Sequence, residues 1–180
     1  MTREELARQM AAVCVLRGQF TLRSGRTSTY YLDKYLFSTR AEILRELGPM
    51  FAERVRALEA AGTPVRRLAG AELGGIPLVT VACLATGKPC LFVRNAKKDY
   101  GTAKQMEGVL EKGDTVVFVE DVATTGGQAL EAVRVLREAG ADVRAVIATI
   151  DRQEGAREAI EAAGLKFDAL FTKRDLGVLE

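Results

Sequence analysis

Apolar residues recur along the chain with two different spacings. In the first third they recur every three to four residues, at Leu6, Met10 and Val13 and again through residues 43–58, which predicts two amphipathic helices. After Pro64, short apolar runs predict five strands and alternate with three helical stretches. The predicted strands are residues 67–69, 90–93, 115–119, 143–150 and 167–171, and the predicted helices are residues 76–86, 128–139 and 154–163.

Strands that alternate with helices pair in parallel through right-handed crossovers, so the fold class expected is α/β with an open, mostly parallel sheet flanked by helices. We expect one domain over residues 1–180, in which residues 1–65 form helices and a hood segment packed on an α/β core of residues 66–180. Ligands of open α/β sheets bind beyond the carboxyl ends of the strands. The candidate functional loops are therefore those that follow each predicted strand.

Composition removes several classes of function. The chain has no histidine, which excludes a Ser–His–Asp triad, an H-E-x-x-H zinc site and a histidine general base. Its 26 basic and 24 acidic residues give a net charge of +2, too balanced for a protein that binds the phosphate backbone of nucleic acid. The longest uncharged run, residues 73–87, is shorter than the roughly 20 residues that span a bilayer.

Two further features point to the cytoplasm. The charged start, Met1-Thr-Arg-Glu-Glu, has no apolar region, so we expect no signal peptide. The three cysteines, Cys14, Cys83 and Cys90, are scattered, as is typical of reduced thiols in a cytosolic protein. We therefore expect a cytoplasmic protein without membrane or nucleic-acid partners.

Residues 116–128 carry the strongest chemical pattern. An apolar run ends in Glu120 and Asp121, and a loop of small residues then opens a predicted helix. Exposed backbone N–H groups at a helix N-terminus favour a phosphate, while the two acids could hold sugar hydroxyls or, through water, Mg²⁺. The alternative is a strand end with a capping acid and a tight turn.

This segment resembles the phosphoribosyl-pyrophosphate (PRPP) motif of the type I phosphoribosyltransferases, which implies that fold with its N-terminal hood. The resemblance implies that Glu120 and Asp121 contact the ribose hydroxyls and act in catalysis. Glu120 occupies a position where aspartate is commoner in the family. The resemblance also assigns the 5′-phosphate to a run of seven residues. They are Val122, Ala123, Thr124, Thr125, Gly126, Gly127 and Gln128.

Four more segments resemble orotate phosphoribosyltransferases, in the expected order from Phe20 to Glu154. Residues 20–33 resemble the family's F-x-L-x-S-G-x-x-S-x-Y-Y stretch, which implies orotate contacts from Arg23 and Tyr31. A cation, a Ser-Gly turn and an aromatic pair suit a planar anion. The alternative is a surface hairpin with Tyr30 or Tyr31 packed inward.

The second segment, residues 69–77, follows a strand and opens a helix with Pro77 in its first turn. Small residues at such a helix N-terminus favour an anion, which the resemblance identifies as the pyrophosphate of PRPP. Some family members have a lysine where this chain has Gly74, so any side-chain charge must come from elsewhere. A plain strand-to-helix turn is the alternative.

The third segment, residues 94–108, is a long polar loop in which cations outnumber acids, as expected of a mobile lid or a solvated hairpin. The resemblance makes it the flexible loop that closes over pyrophosphate, with Lys98 as a catalytic residue. It also assigns PRPP contacts to Arg94, Lys97 and Tyr100. Tyr100 replaces a histidine of some relatives and is a poor proton shuttle at neutral pH.

The fourth segment is Asp151-Arg-Gln-Glu154, at the end of a predicted strand. Arg152 offers a planar fork for a carboxylate, and it matches the arginine that binds the orotate carboxylate in the family. The resemblance also assigns orotate binding to Thr124. Asp151 and Glu154 also have the spacing of a helix cap. Both interpretations can hold at once.

The resemblance implies transfer of the 5-phosphoribosyl group from PRPP to orotate, giving orotidine 5′-monophosphate and pyrophosphate. It further implies Mg²⁺ held mainly by PRPP, with no direct protein ligand but an optional water-mediated contact to Asp121, and a homodimer with shared active sites. Two alternatives are a purine or xanthine phosphoribosyltransferase and, in a different class, a PRPP-sensing regulator that binds nucleic acid.

Overall fold

The computed structural model describes residues 1–21, 27–96 and 105–179. The N-terminal part contains three helices and one hairpin. They are α1 (Arg3–Cys14), β1 (Val15–Thr21), β2 (Thr27–Leu32), α2 (Lys34–Ser38) and α3 (Ala41–Ala60). The remaining described elements are strands and helices. They are β3 (Arg67–Ala71), α4 (Gly75–Thr86), β4 (Cys90–Val93), β5 (Met106–Glu107), β6 (Thr115–Ala123), α5 (Gly127–Glu138), β7 (Asp142–Asp151), α6 (Ala156–Ala162) and β8 (Lys166–Thr172). Strands alternate with helices as the apolar pattern predicts, except that β4, β5 and β6 follow one another and β5 was not predicted.

The central sheet has six strands in the order β5-β4-β3-β6-β7-β8. All neighbouring pairs run parallel except β4 and the two-residue edge strand β5, which are antiparallel. The prediction of an open, mostly parallel α/β sheet is therefore confirmed. β3, β6 and β7 lie at its centre, so the loops after these strands meet at one edge of the sheet.

Both faces of the sheet are covered, because alternate residues of a strand point to opposite faces. Val117 of β6 belongs to a buried cluster with Met10 of α1 and Phe51 of α3. Its neighbour Phe118 belongs to a second cluster, with Leu136 of α5 and Ile160 of α6. The amphipathic N-terminal helices thus cover one face, while α5 and α6 cover the other.

One local feature agrees with an alternative that the sequence left open, and two others differ from the sequence prediction. The segment before Asp33 forms an antiparallel hairpin, and the short helix α2 follows it. β6 continues through the two acids to Ala123, because Ala123 still pairs with Asp151 of β7. α6 begins at Ala156 instead of residue 154, after Gly155 with a φ of 101°. The longer β6 matters for function, since it places the acids inside the sheet instead of in a loop.

Candidate active site

Glu120 and Asp121 lie in the second half of β6, near the carboxyl edge of the sheet. Both residues are buried. The pairing of Gly70 with Val119 sets the end of β3 level with the acids. The loop after β3 therefore meets this pair of acids directly.

The acid pair is electrostatically crowded. The backbone N–H of Asp121 donates to Glu120 Oε1 at 3.0 Å. Burial, together with the adjacent Asp121 carboxylate, raises the pKa of Glu120 to about 8, although the charge of Lys34 lowers it in part. Near neutral pH Glu120 therefore holds its proton and can donate a hydrogen bond, which an ionised carboxylate cannot do.

Asp121 has a cationic partner from the N-terminal part of the chain. Lys34, the first residue of α2, places its Nζ 2.8 Å from Asp121 Oδ2. Burial lowers the pKa of the Lys34 ammonium, but the charge of Asp121 and its hydrogen bond more than offset this, so that the pKa is raised. Lys34 therefore remains charged, and it is a site residue that the sequence analysis missed.

The loop after β6 forms a small cradle at the start of α5. Gly126 precedes the helix with a φ of 83°, and no described side chain caps its first N–H groups. A Cβ at Gly126 would lie 3.2 Å from the carbonyl oxygen of Ala156 in α6, so both the backbone angle and the close approach require glycine. A cavity of about 50 Å³ lies against this loop. Its lining comprises Glu120, Val122, Ala123, Thr124, Thr125, Gly126, Gly127, Gln128 and Ala129.

The loop between β3 and α4 contacts the acid pair from the other side. A Cβ at Gly74 would lie 1.8 Å from Asp121 Oδ2, so this position has no room for a side chain while Asp121 keeps its orientation. Glu72 Oε1 accepts the backbone N–H of Asn95 at 2.8 Å, and the Glu72–Leu73 peptide bond is cis. This loop therefore brings backbone and an acid, but no cation, to the site.

A cavity of about 390 Å³ opens beside the acid pair. It is lined by residues from α2, the loop after β3, the end of β4 and α5. They are Lys34, Tyr35, Ala71, Glu72, Leu73, Val93, Arg94, Asn95, Gln105, Glu120, Asp121, Gln128, Glu131, Ala132 and Val135. The structure thus brings the predicted residues Arg94, Glu120, Asp121 and Gln128 together around one space large enough for a small ligand.

Arg94 enters this cavity with unused hydrogen-bonding capacity. Its backbone N–H donates to the carbonyl oxygen of Gln105 at 2.9 Å, and its Nη1 lies 3.9 Å from Glu107 Oε1. Its Nε is buried and has no hydrogen-bond partner among the described residues. Because buried donors are normally satisfied, this guanidinium is suited to an anionic ligand.

Arg152 is held next to the phosphate cradle. Its backbone N–H donates to the carbonyl oxygen of Ala123 at 2.9 Å. Its Nη2 donates to Tyr30 Oη at 2.9 Å and lies 3.0 Å from Glu154 Oε1, and its Cζ lies 5.2 Å from the centre of the Tyr30 ring. Its buried Nε has no partner within the described part of the chain. The guanidinium is therefore oriented by two neighbours and retains a donor for a ligand.

The capping prediction for Asp151 and Glu154 is wrong. Asp151 Oδ1 accepts the backbone N–H of Gln153 at 2.7 Å, and Gly155 is the residue that precedes α6. The positive φ of Gly155 ends the turn before the helix starts, so neither acid can cap it. Asp151 instead fixes the turn that carries Arg152, and Glu154 contacts the Arg152 side chain.

The two tyrosines of the N-terminal hairpin have different environments. Tyr31 is 44% exposed and its ring centre lies 5.8 Å from that of Phe20. Tyr30 is 6% exposed and bonds to Arg152, which agrees with the alternative of an inward-packed tyrosine. The sequence signal for Tyr30 was the Tyr-Tyr pair itself, which does not show which of the two rings faces inward.

Four predicted site residues lie outside the described residues: Arg23, Lys97, Lys98 and Tyr100.

Residues 1–21, 27–96 and 105–179 contain no group of three or more histidine, cysteine or acidic side chains placed to hold a metal ion. Within the same ranges, none of the helices has the length and apolar character that crossing a bilayer requires.

The chain is similar to orotate phosphoribosyltransferases in sequence and structure. It is 47% identical to that of Methanocella arvoryzae over 172 residues, covering 96% of this chain and 94% of the relative. It is 41% identical to that of Pyrococcus furiosus, covering 97% and 94%. No family model matches the chain.

Solved structures give the same result. A crystal structure of the Mycobacterium tuberculosis orotate phosphoribosyltransferase with Fe(III) dicitrate matches with a TM-score of 0.84 and 34% identity, covering 98% of this chain and 99% of the other. A complex of that enzyme with PRPP matches with a TM-score of 0.78 and 33% identity over the same shares. With near-complete coverage and identities above 40%, the chain belongs to the orotate phosphoribosyltransferase family.

Proposed function

We propose that the protein transfers the 5-phosphoribosyl group of PRPP to orotate, giving orotidine 5′-monophosphate and pyrophosphate in pyrimidine biosynthesis. Family membership supports the reaction. The observation that carries the assignment to this site is the meeting of three features at one sheet edge. They are the buried acids Glu120 and Asp121, the uncapped loop before α5, and the partly unpaired Arg152.

In this proposal, the ribose 5-phosphate part of PRPP lies across the end of β6. Residues 122–128 surround the 5′-phosphate, and the backbone N–H groups that bind it are those at the N-terminus of α5, where the loop has small side chains. Protonated Glu120 donates to one ribose hydroxyl and the carboxylate of Asp121 accepts from another. The pair can therefore bind a diol without adding two full negative charges beside the phosphate.

Orotate binds on the Arg152 side of the cradle. The guanidinium pairs with the orotate carboxylate through donors that include its unpaired Nε, while Tyr30 and Glu154 hold its orientation. Thr124, from the phosphate loop, contacts the pyrimidine ring. Arg23 and Tyr31, from the N-terminal hairpin, cover the other side of the ring.

The reaction replaces one bond at C1 of the ribose. The C1–O bond to pyrophosphate breaks as N1 of orotate forms a bond to the same carbon. The bonding electrons leave with pyrophosphate, and the acidic N1 proton of orotate is lost to solvent. Charge separates in this step, so catalysis depends on position and electrostatics more than on a strong base, consistent with a chain that has no histidine. Lys98 and Arg94 stabilise the leaving group, with Lys97 and Tyr100 as further PRPP contacts.

Mg²⁺ fits the acidic edge of this site. A magnesium ion is commonly held by one or two protein carboxylates together with substrate phosphates, and the carboxylate of Asp121 lines the cavity where PRPP would lie. PRPP would hold the ion in the main, and Asp121 would contact it through water. The ion would neutralise charge on the pyrophosphate.

The test is the loss of orotate absorbance with PRPP and Mg²⁺. We expect turnover with orotate, none with hypoxanthine or xanthine, and loss of turnover on addition of a chelator. Turnover with a purine base in place of orotate would assign the chain to the purine alternative. Tight PRPP binding without turnover of any base would favour a PRPP-sensing protein instead.

The remaining parts of the proposal concern assembly and location. The protein acts as a cytoplasmic homodimer, in which Lys98 of one subunit serves the site that contains Asp121 of the other. The three free thiols support a reducing compartment. An isologous dimer can be tested by mixing Lys98→Ala and Asp121→Ala subunits, because random exchange would restore roughly a quarter of the sites. Activity that stays at the average of the two variants, after exchange is verified by mass, would show that sites are not shared.

A further inference from the structure

Among the described residues, Lys34 is the cation at ion-pair distance from Asp121. Its Nζ lies 2.8 Å from Asp121 Oδ2 and 5.6 Å from the centre of the Tyr35 ring. Its side chain is 31% exposed, whereas that of Asp121 is 4% exposed. The ammonium therefore bridges a buried carboxylate and the open cavity.

This contact differs from an ordinary surface ion pair. An ammonium has three donors, and within the described chain Asp121 is the one acid at ion-pair distance from Lys34. Asp121 Oδ1 already accepts the backbone N–H of Val122, so only Oδ2 faces Lys34. The Lys34 ammonium thus reaches the cavity with N–H donors beyond the one that contacts Asp121 Oδ2. Asp121 is fixed by its position in β6 and by the hydrogen bond from the Val122 backbone.

The charge balance of the cavity favours a cation beside Arg94. Among the described residues that line it, four are acidic and two are basic. The acids are Glu72, Glu120, Asp121 and Glu131, of which Glu120 holds its proton near neutral pH, and the bases are Lys34 and Arg94. A diphosphate carries several negative charges, and each basic side chain that faces it reduces its repulsion from these acids.

The loop before α4 cannot supply this charge. A side chain at Gly74 would overlap Asp121 Oδ2, and the charged side chain of that loop, Glu72, is acidic. The glycine leaves the space in which Asp121 turns toward Lys34. Among the described residues, the cation at this place is Lys34 of α2, on the N-terminal part of the chain, which reaches the end of β6.

We propose that Lys34 is a binding residue for the diphosphate of PRPP, shifting from Asp121 to a diphosphate oxygen when the substrate binds. This assignment rests on the proposed function. It gives Lys34 two states. In the free protein it compensates the charge of Asp121, and in the complex it releases that carboxylate to the ribose hydroxyls. Lys34 therefore links the filling of the diphosphate site to the freeing of the ribose-binding acid.

The test compares ligands with and without a diphosphate. Dissociation constants for PRPP, pyrophosphate and ribose 5-phosphate are measured by calorimetry with Mg²⁺ for the wild type, Lys34→Met and Lys34→Arg. We expect Lys34→Met to weaken PRPP and pyrophosphate by roughly 10- to 100-fold and ribose 5-phosphate by less than about threefold. Lys34→Arg, which keeps the charge, should recover most of the loss.

Lys88→Met is the matched control. Lys88 is also partly buried, at 22% exposure, and has an ion pair of 2.8 Å with Glu59, but it does not line the cavity. It should leave all three dissociation constants unchanged. Equal weakening of ribose 5-phosphate and PRPP by Lys34→Met would mean that Lys34 acts only through Asp121 and would overturn the proposal, as would no change. Failure of the wild type to bind PRPP would instead count against the proposed function.

Discussion

Strand β6 has buried acids near both of its ends, and the two ends differ in how the acids are compensated. At the amino end, Asp114 forms a short ion pair with Arg67 Nε and accepts the backbone N–H of Glu111 at 3.0 Å. The hydrogen bond from Arg67 holds the pKa of Asp114 below its usual range. At the carboxyl end, burial and Asp121 raise the pKa of Glu120 to about 8.

This difference separates an acid that stabilises the fold from acids available for chemistry. Asp114 has a guanidinium and a backbone donor of its own, so its charge is satisfied in the folded protein. The Glu120–Asp121 pair shares one lysine, and that lysine also faces the cavity. The electrostatic energy of this carboxyl pair is unfavourable in the free protein, and a bound ligand that donates hydrogen bonds to it can lower that energy. Groups with perturbed pKa values in a cleft are typical of functional sites.

The largest effect is expected from a pair of substitutions at the two ends of β6. Asp121→Asn should lower kcat on the order of 10²- to 10³-fold with little change in melting temperature, because Asn keeps the shape and the partly exposed Lys34 remains hydrated. Asp114→Asn should do the reverse, with a melting temperature lower by several degrees and nearly normal turnover. Orotate turnover and thermal unfolding of both variants would measure this. The comparison fails if Asp121→Asn mainly destabilises the protein.

The next effect concerns specificity for orotate at the end of β7. Arg152→Ala should weaken the binding free energy of orotate by on the order of 2–4 kcal/mol, which raises the KM for orotate roughly 30- to 900-fold. The reason is that a carboxylate left without its guanidinium loses a charged hydrogen-bond partner. The KM for PRPP should change little. Steady-state kinetics with each substrate varied would show this. Equal changes for both substrates would mean that Arg152 is structural.

A smaller effect is expected from the residue that orients Arg152. Tyr30→Phe removes the hydroxyl that accepts from Arg152 Nη2 and keeps the ring beside the guanidinium. We expect the KM for orotate to rise about 5- to 10-fold, the cost of one hydrogen bond to a charged group, with PRPP unaffected. Unchanged orotate kinetics would show that Glu154 alone is enough to position Arg152.

The smallest effect is a pH dependence of stability. Folded Glu120 keeps its proton up to about pH 8, whereas in the unfolded chain a glutamate loses it near pH 4.3. Between these values the folded state binds more protons, so Glu120 makes the wild type less stable as the pH rises. Glu120→Gln lacks this contribution, so its melting temperature relative to the wild type should increase by several degrees from pH 5 to pH 8. A constant difference across that range would contradict the raised pKa.

The sheet could be predicted well from the sequence, because its buried strands are continuous runs of apolar residues. The five predicted strands correspond to β3, β4, β6, β7 and β8. The turn of small residues between β6 and α5 could be predicted because strand, acids, glycines and helix are adjacent in sequence, while its role in phosphate binding stays a prediction. Local chemistry of this kind needs no knowledge of distant contacts.

Contacts between distant segments could not be predicted in the same way. The pairing of Lys34 with Asp121 joins residues far apart in sequence, and nothing in the run of residues around Lys34 distinguishes it from a solvent-exposed lysine. The bond from Arg152 to Tyr30 is similar, because the Tyr-Tyr pair leaves the inward ring undecided. The cap predicted at Asp151 failed since Gly155 ends the turn first. Only the folded chain decides these cases.

The contrast between the ends of β6 can be measured directly by a carbon-13 NMR titration of the side-chain carboxyl groups. Glu120→Gln and Asp114→Asn identify the two signals by their loss. We expect an apparent pKa near 8 for Glu120 and one below the ordinary value of 3.8 for Asp114. If instead both groups titrate between about 3.5 and 4.5, the range of ordinary carboxyls, the two ends are equally compensated and the account of β6 is wrong.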